Sequence, residues 1–566
     1  MPINYTKFIF HRLNNSVMKL IDDIQGSRLY NYMMDFIKIG WRRVGTENST
    51  KASNYILNKF KEFKLENVHL EPFEMLLYLA KKWELSFKSP NLPNQRIKID
   101  CHPLWHTKSS DPEGIEAEMV HVGFGTSKEF RNVDVRNKIV VVNSYRMMNF
   151  YPTMDFWRVY ERSRKRGSIG LIAIHDSPPG TLFVEYATRH QTMKETNLES
   201  GSIPALIINY ESGKYLKSLL ETDEKITCNM LLKSNTKRVD TENVFGMLPG
   251  KKSDEIILIG THTDSWFDGA IDNAGGNAGF LELADYYSQI PKDKREKTMI
   301  FAGFAGHEVG SIGAIEFAKK HKDMLSKVAT FCMIDGFGSK GYLLESPTRG
   351  IVETGMDEPK GLFTTDNQVL FDFIKDSTLK YGLFPSMHVS AVAGAFSDLG
   401  PFVHAAIPSI MIIGKGIFYH TIEDTADKVL PRQLERTAKA HIEIINKIHE
   451  TPTKVIYEAD RKGIEIPKQN KKSNKNKKGS VYFNFNITPN PMIRGTTALI
   501  YLTSYLCNNR IIIDLKWNIK GKEIHSPIFP QRFGKVGRYK VQLILLDNYG
   551  YEYTSSKYAY VIERPQ

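Results

Sequence analysis

The sequence predicts an α/β protein: a mixed, mainly parallel sheet with helices on both faces, interrupted by a β-rich insert and followed by an all-β sandwich. Three observations carry this. Short apolar runs at 255–260, 298–305, 327–334 and 407–413 are of the fully buried kind that parallel sheets use. Segments with helical spacing fall between them, as at 280–287. Past residue 480 the pattern turns to period-two strands divided by turn residues.

Taken in order, residues 1–75 read as helices leading to the sheet. The segment 52–63 has apolar residues at helical spacing, and Trp41-Arg42-Arg43 before it reads as an exposed loop rather than a substrate contact. Between 100 and 235 the pattern changes to short strands at 120–125, 138–143, 170–175 and 202–209. A basic helix is expected at 156–166. Arg158, Arg162, Arg164 and Arg166 could fork onto a substrate carboxylate, but a solvated face is the simpler reading. His121, His175 and His190 have no ligand-type neighbours in sequence and default to structural or surface roles. Residues 468–478 carry six lysines and no acid, which reads as a solvated linker. Strands at 481–487, 511–517 and 540–546 then build the sandwich.

The chemistry sits at the ends of the four apolar runs. The first opens into Gly260–Asn273, which holds His262, Asp264 and Asp272. The second ends in His307-Glu308, the third in Asp335, and the fourth leads to Tyr419-His420. Open parallel sheets bind ligands at the carboxyl ends of their strands. Imidazole and carboxylate together suit zinc or a similar divalent ion. A lone His-x-Asp would be weak, but four strands each delivering a ligand-type residue at one end is a pattern.

These residues resemble the family of two-zinc aminopeptidases and glutamate carboxypeptidases, which also contains glutaminyl cyclases and the transferrin receptor. The likeness rests on His262-x-Asp264, the step to Asp272, Glu308-Val-Gly, Asp335, Ser397-Asp398-x-x-Pro401-Phe402 and Tyr419-His420-Thr421 with Asp424-Thr425. It runs through most of residues 35–450. It implies a fold of the zinc-exopeptidase type and two divalent ions, zinc by default, bridged by Asp272. His262 and Asp335 would complete one site, and Glu308 and His420 the other. Asp264 would accept a hydrogen bond from the far nitrogen of His262, and Tyr419 would help hold the tetrahedral intermediate. The insert resembles a protease-associated domain, and the terminal hairpin at 537–550 resembles polycystic-kidney-disease-type, immunoglobulin-like sandwiches.

One position departs from the family. Active members carry a second Glu, the general base, where this chain has His307. A neutral imidazole can accept a proton near pH 7, so base chemistry stays open. The reading is a metal-dependent exopeptidase acting on peptides, with an aminopeptidase preferred over a glutamate-carboxypeptidase-like activity. The alternative from another class is a binding protein that keeps its metal and has lost catalysis.

Length and composition set the remaining bounds. At 566 residues the chain needs about two to four domains. They are expected at 1–99 with 236–455 (split peptidase domain), 100–235 (insert), 456–479 (linker) and 480–566 (sandwich). The net charge of +13 invites a nucleic-acid reading, yet much of it is the lysine run, which has no aromatics to stack bases. Nucleic acid is therefore not expected as a primary partner. No apolar run is long enough to span a membrane, and the N-terminal residues do not form a secretory leader. With four widely spaced cysteines, this favours a cytoplasmic protein; a homodimer is compatible with such a chain.

Overall fold

The computed structural model describes residues 21–89, 92–148, 151–188, 202–221, 225–346, 350–394, 397–465 and 478–563. The first twenty residues, His190 and most of the lysine run lie outside them. Helices α1 (Gly26–Ile39) and α2 (Glu47–Glu62) come first. Leu29, Met33 and Phe36 of α1, and Ala52, Ile56 and Phe60 of α2, recur at three- and four-residue steps and are buried, so each helix turns one apolar stripe inward.

Strand β1 (Glu66–Ser89) leads into the insert, whose elements are β2 (Ile115–His121), β3 (Ile139–Ser144), α3 (Phe156–Lys165), β4 (Gly170–His175), β5 (Ala205–Asn209) and α4 (Tyr210–Leu220). Strands β2, β3, β4 and β5 are parallel neighbours in that order. Parallel strands need long crossovers; α3 occupies the one between β3 and β4, and α4 follows β5. The insert is thus strand-rich but α/β in character. Strand β6 (Thr227–Leu248) returns antiparallel to both β2 and β1.

The central layer follows as β7 (Lys252–His262), α5 (Gly276–Ser288), β8 (Lys297–Phe304), α6 (Ile312–Lys320), β9 (Val328–Ile334), β10 (Lys360–Thr364), α7 (Gln368–Tyr381), β11 (Ser386–Ser390), α8 (Leu399–His404), β12 (Ser409–Ile413), α9 (Pro431–Glu450) and α10 (Thr453–Ala459). Strand order is β1-β6-β8-β7-β9-β12-β10-β11. The inner four, β8, β7, β9 and β12, are mutually parallel, while β6 and β10 run antiparallel to their neighbours β8 and β12. Along β7 the period of two sorts side chains between layers. Ile257 and Ile259 pack with Leu29, Phe60, Phe280 and Ile445, whereas Ile256 and Leu258 pack with Phe317 and Phe402. Helices therefore cover both faces. Helix α10 continues to Ala459, past the expected boundary at residue 455.

The C-terminal part holds β13 (Val481–Thr488), β14 (Thr497–Cys507), β15 (Ile511–Ile519), β16 (Ile528–Arg532), β17 (Gly537–Asp547) and β18 (Glu552–Ile562). One sheet is β13-β14-β16 and the other contains β15-β17-β18, all antiparallel. Trp517 lies between them, 5.1 Å from the Phe485 ring and 5.6 Å from that of Phe529. This part is docked, not merely tethered. Strand β15 pairs parallel with β11 through Ile511 and Ile512, and the Tyr505 hydroxyl donates to the Lys360 carbonyl at 3.0 Å. The four cysteines are buried and unpaired, and no helix among the described residues is long and apolar enough to cross a membrane.

Candidate metal centre

The four inner strands end on one edge of the sheet. Strand β7 finishes at His262, β9 passes directly into Asp335, and β12 leads through Gly414-Lys415-Gly416 to His420. After β8 the chain turns at Gly306, whose φ of +80° puts it in the left-handed region, and delivers His307 and Glu308.

Asp272 comes from the loop after β7, and that loop is held from below. The Asp424 carboxylate accepts the N–H groups of Ile271 (2.8 Å) and Asp272 (3.1 Å). Arg42, expected on an exposed loop, is instead fully buried and donates to the carbonyls of Phe36 (3.2 Å), Asp268 (2.8 Å) and Gly269 (3.0 Å). Its side chain matters to the site as a brace. Gly269 has φ +49°, and a Cβ there would come within 2.3 Å of the Asp272 carbonyl oxygen, so only glycine fits. Asn273 ties the loop to β7 and β9 by donating to Thr261 Oγ1 (3.1 Å) and accepting from the Gly336 N–H (3.1 Å).

The structure brings His262, Asp272, Glu308, Asp335 and His420 into one buried cluster. His262 Nε2 lies 3.2 Å from Asp272 Oδ1 and 3.3 Å from Asp335 Oδ1. His420 Nε2 lies 3.3 Å from Asp272 Oδ2 and 3.0 Å from Glu308 Oε2. Asp272 thus faces two half-sites, one oxygen to each. Both imidazoles have a defined tautomer. Nδ1 of His262 donates to the Asp264 carbonyl at 3.1 Å and Nδ1 of His420 to the Val184 carbonyl at 2.9 Å, leaving each Nε2 lone pair turned inward.

These atoms suit a divalent cation. Ligands bonded to tetrahedral zinc at about 2.0–2.2 Å stand about 3.3–3.5 Å apart, close to the separations found here. His262 Nε2, His420 Nε2, Asp272 Oδ2, Asp335 Oδ1 and Glu308 Oε1 are buried and make no well-formed hydrogen bond. The electrostatics agree. Burial pushes the His262 and His420 imidazoles down, yet Asp335 for the first and Glu308 for the second outweigh it and hold each well above the ordinary value. Burial and the neighbouring Asp272 push the Glu308 carboxyl up. A cluster this negative stabilises whatever positive charge enters it.

Residues 243–445, which contain every one of these ligand-type side chains, match the sequence profile of Peptidase family M28. That segment is similar to the family. The chain is similar to carboxypeptidase Q of Pongo abelii, 23% identical over 411 residues that cover 71% of this chain and 80% of that one. Among solved structures, the aminopeptidase of Aneurinibacillus sp. strain AM-1 superposes with a TM-score of 0.56 at 22% identity, over 79% of this chain and 97% of that one. A zinc aminopeptidase from Bacillus subtilis gives 0.54 at 18% identity, over 78% and 96%. The two structural likenesses establish the shared fold.

Within residues 243–445 one expectation needs adjusting, that for Asp264, and His307 and Tyr419 take definite places. The Asp264 carboxylate sits 3.6 Å from His262 Nδ1, and the imidazole bonds the Asp264 carbonyl instead. The carboxylate accepts the N–H groups of His307 and Glu308, both at 3.1 Å, so it fixes the turn that presents Glu308. His307 sits beside His262 with ring centroids 4.2 Å apart, and its Nδ1 lies 3.3 Å from Asp398 Oδ1. Tyr419 stacks on the neighbouring His420 ring at 3.6 Å and lines the cleft.

Sequence reasoning passed over two further residues. Lys415 places Nζ 2.8 Å from Asp272 Oδ1 and 3.3 Å from Asp335 Oδ1. Glu185, from the insert, lies 3.4 Å from His420 Nδ1. The cluster opens into a cleft of about 1340 Å³ walled by the M28 segment, by Tyr151 and Glu185 of the insert and by Asp514 and His525 of the sandwich. No arginine lines it among the described residues. Arg164 pairs with Glu161 at 2.7 Å and Arg166 donates to the Phe130 carbonyl at 3.3 Å, so the basic helix serves its own domain.

Proposed function

We propose that this chain is a zinc-dependent aminopeptidase that removes N-terminal residues from peptides. The observation that carries the direction of attack is Glu185: a carboxylate beside His420 at the cleft wall, with no arginine lining the cleft among the described residues. A free α-ammonium finds a partner there, whereas the lysines on the cleft wall, Lys319 and Lys322, would meet a free α-carboxylate without the bidentate geometry of a guanidinium fork. Asp272 would be shared between the half-sites, with His262 and Asp335 on one side and Glu308 and His420 on the other. Bound metal would acidify water and polarise the scissile carbonyl. His307, beside the cluster and oriented by Asp398, would carry the proton, and Tyr419 would stand by the oxyanion.

The test combines zinc content with hydrolysis of an aminoacyl-amide panel between pH 5.5 and 9. Cleavage of free but not N-acetylated substrates is expected. Asp272→Ala should lose zinc and activity together; normal zinc in that variant would sink the site assignment. Glu185→Ala should lower kcat/KM by about 10–100-fold, mostly through KM. Release of C-terminal residues would reverse the direction, and zinc without any turnover would make the chain a binding protein.

A further inference from the structure

Lys415 is the one lysine or arginine among the described residues whose charged group touches the ligand oxygens. It is not a rim lysine reaching in. Its side chain is 3% exposed, and its backbone lies between Gly414, where a Cβ would come within 2.4 Å of Glu358 Oε1, and Gly416 at φ +67°. The Lys415 stem packs on Gly336, where a Cβ would sit 3.1 Å from Lys415 Cγ, and the ammonium is 5.0 Å from the centre of the Tyr419 ring. Each of these contacts directs the chain inward.

The oxygens it reaches are Asp272 Oδ1 and Asp335 Oδ1, the same two that His262 Nε2 faces. A dication in that half-site would need both oxygens and would then stand against the ammonium. The other half-site, built from Asp272 Oδ2, Glu308 and His420, has no ammonium within 4 Å of its oxygens among the described contacts, although atoms of both half-sites lack a well-formed hydrogen bond.

We propose that Lys415 is a built-in cation that takes the place of one metal ion, so that the chain holds a single zinc on Asp272, Glu308 and His420. This rests on the metal-site reading above. On this view the Lys415 ammonium keeps Asp335 and one oxygen of Asp272 ionised and oriented, as a second metal would.

Zinc alone is the probe, counted per chain by elemental analysis after dialysis and by titration calorimetry on the full-length protein. Wild type should bind one zinc, and Lys415→Met should bind two. His262→Ala should keep the single zinc of wild type, and His420→Ala should lose it. Two tightly bound zincs in wild type would overturn the role of Lys415 and leave the metal-site reading intact. One zinc in Lys415→Met, or loss of zinc in His262→Ala with retention in His420→Ala, would overturn it too. No zinc in wild type or in any variant would sink the metal site itself and this inference with it. Should Lys415→Met fail to fold, the two histidine variants still decide.

Discussion

At the residue scale the positioning groups carry as much of the site as the ligands do. Arg42 is held in an apolar setting that lowers its pKa to about 10, burial being the first cause and Asp424 the first opposing charge. Replacing it by Met leaves three carbonyls without their donor. Arg42→Met should cost about 2–4 kcal/mol and loosen the Asp272 loop, seen as a lower urea midpoint and weaker zinc binding. Unchanged zinc affinity would mean the loop is held by Asp424 alone. The candidate ligand residues were legible because each follows an apolar run, and a strand end is where a parallel sheet offers side chains to a ligand. Arg42 was not: Trp-Arg-Arg after a glycine looks solvated, and only the fold shows the carbonyls that surround it. Lys415 was hidden for a similar reason, since Gly-Lys-Gly after a strand resembles a turn whose lysine faces water. Glu185 reaches His420 across a sequence separation that no local pattern encodes.

At the scale of elements, one ion cluster pins α6 to the long ribbon. Glu71 of β1 is buried and accepts from His321 at 2.8 Å, with Lys320 3.2 Å away. Burial pushes its carboxyl up, but His321 and Lys320 outweigh this and bring it down to about 2. A folded pKa below the ordinary 4.5 gives stability that is complete above pH 4.5 and lost as pH falls toward 2. Glu71→Gln should therefore be less stable than wild type by about 2 kcal/mol at pH 6. The gap in thermal midpoint should close steadily below pH 4.5, and a gap that stays constant down to pH 3 would show that packing, not charge, is at work. The buried strands β7, β8, β9 and β12 were readable as unbroken apolar runs. Strands β10 and β11 were not, being five residues each with threonine, lysine, serine and histidine among them. Nor was β1, because Lys81, Lys82 and Glu84 on its exposed positions blur the period of two.

At the scale of the whole molecule, the sandwich is part of the cleft. Ile513, Asp514, Leu515, Ser526 and Pro527 line it, while β15 extends the sheet edge at β11. Trp517 holds the two sandwich layers together, and Trp517→Ala should cost about 3–5 kcal/mol. With the wall loosened, KM for peptides of six or more residues should rise several-fold while dipeptide amides are handled as before. Equal effects on both would confine the sandwich to a structural role. Its strands were legible in sequence but its docking was not, since the parallel pairing of β11 with β15 joins residues more than a hundred positions apart. The ribbon of β1 and β6 carries a last implication. The insert leaves and rejoins the central sheet through two strands that are each other's ladder partners, with a register break between Ala80 and Lys82. An attachment of that kind has no separate hinge on either side. The insert and the edge that carries the candidate ligands would then sway together, so that on the aminopeptidase proposal the spacing between Glu185 and His420 would behave like the jaws of a fixed caliper, a gauge that measures one residue from the start of a chain and does not widen for a second.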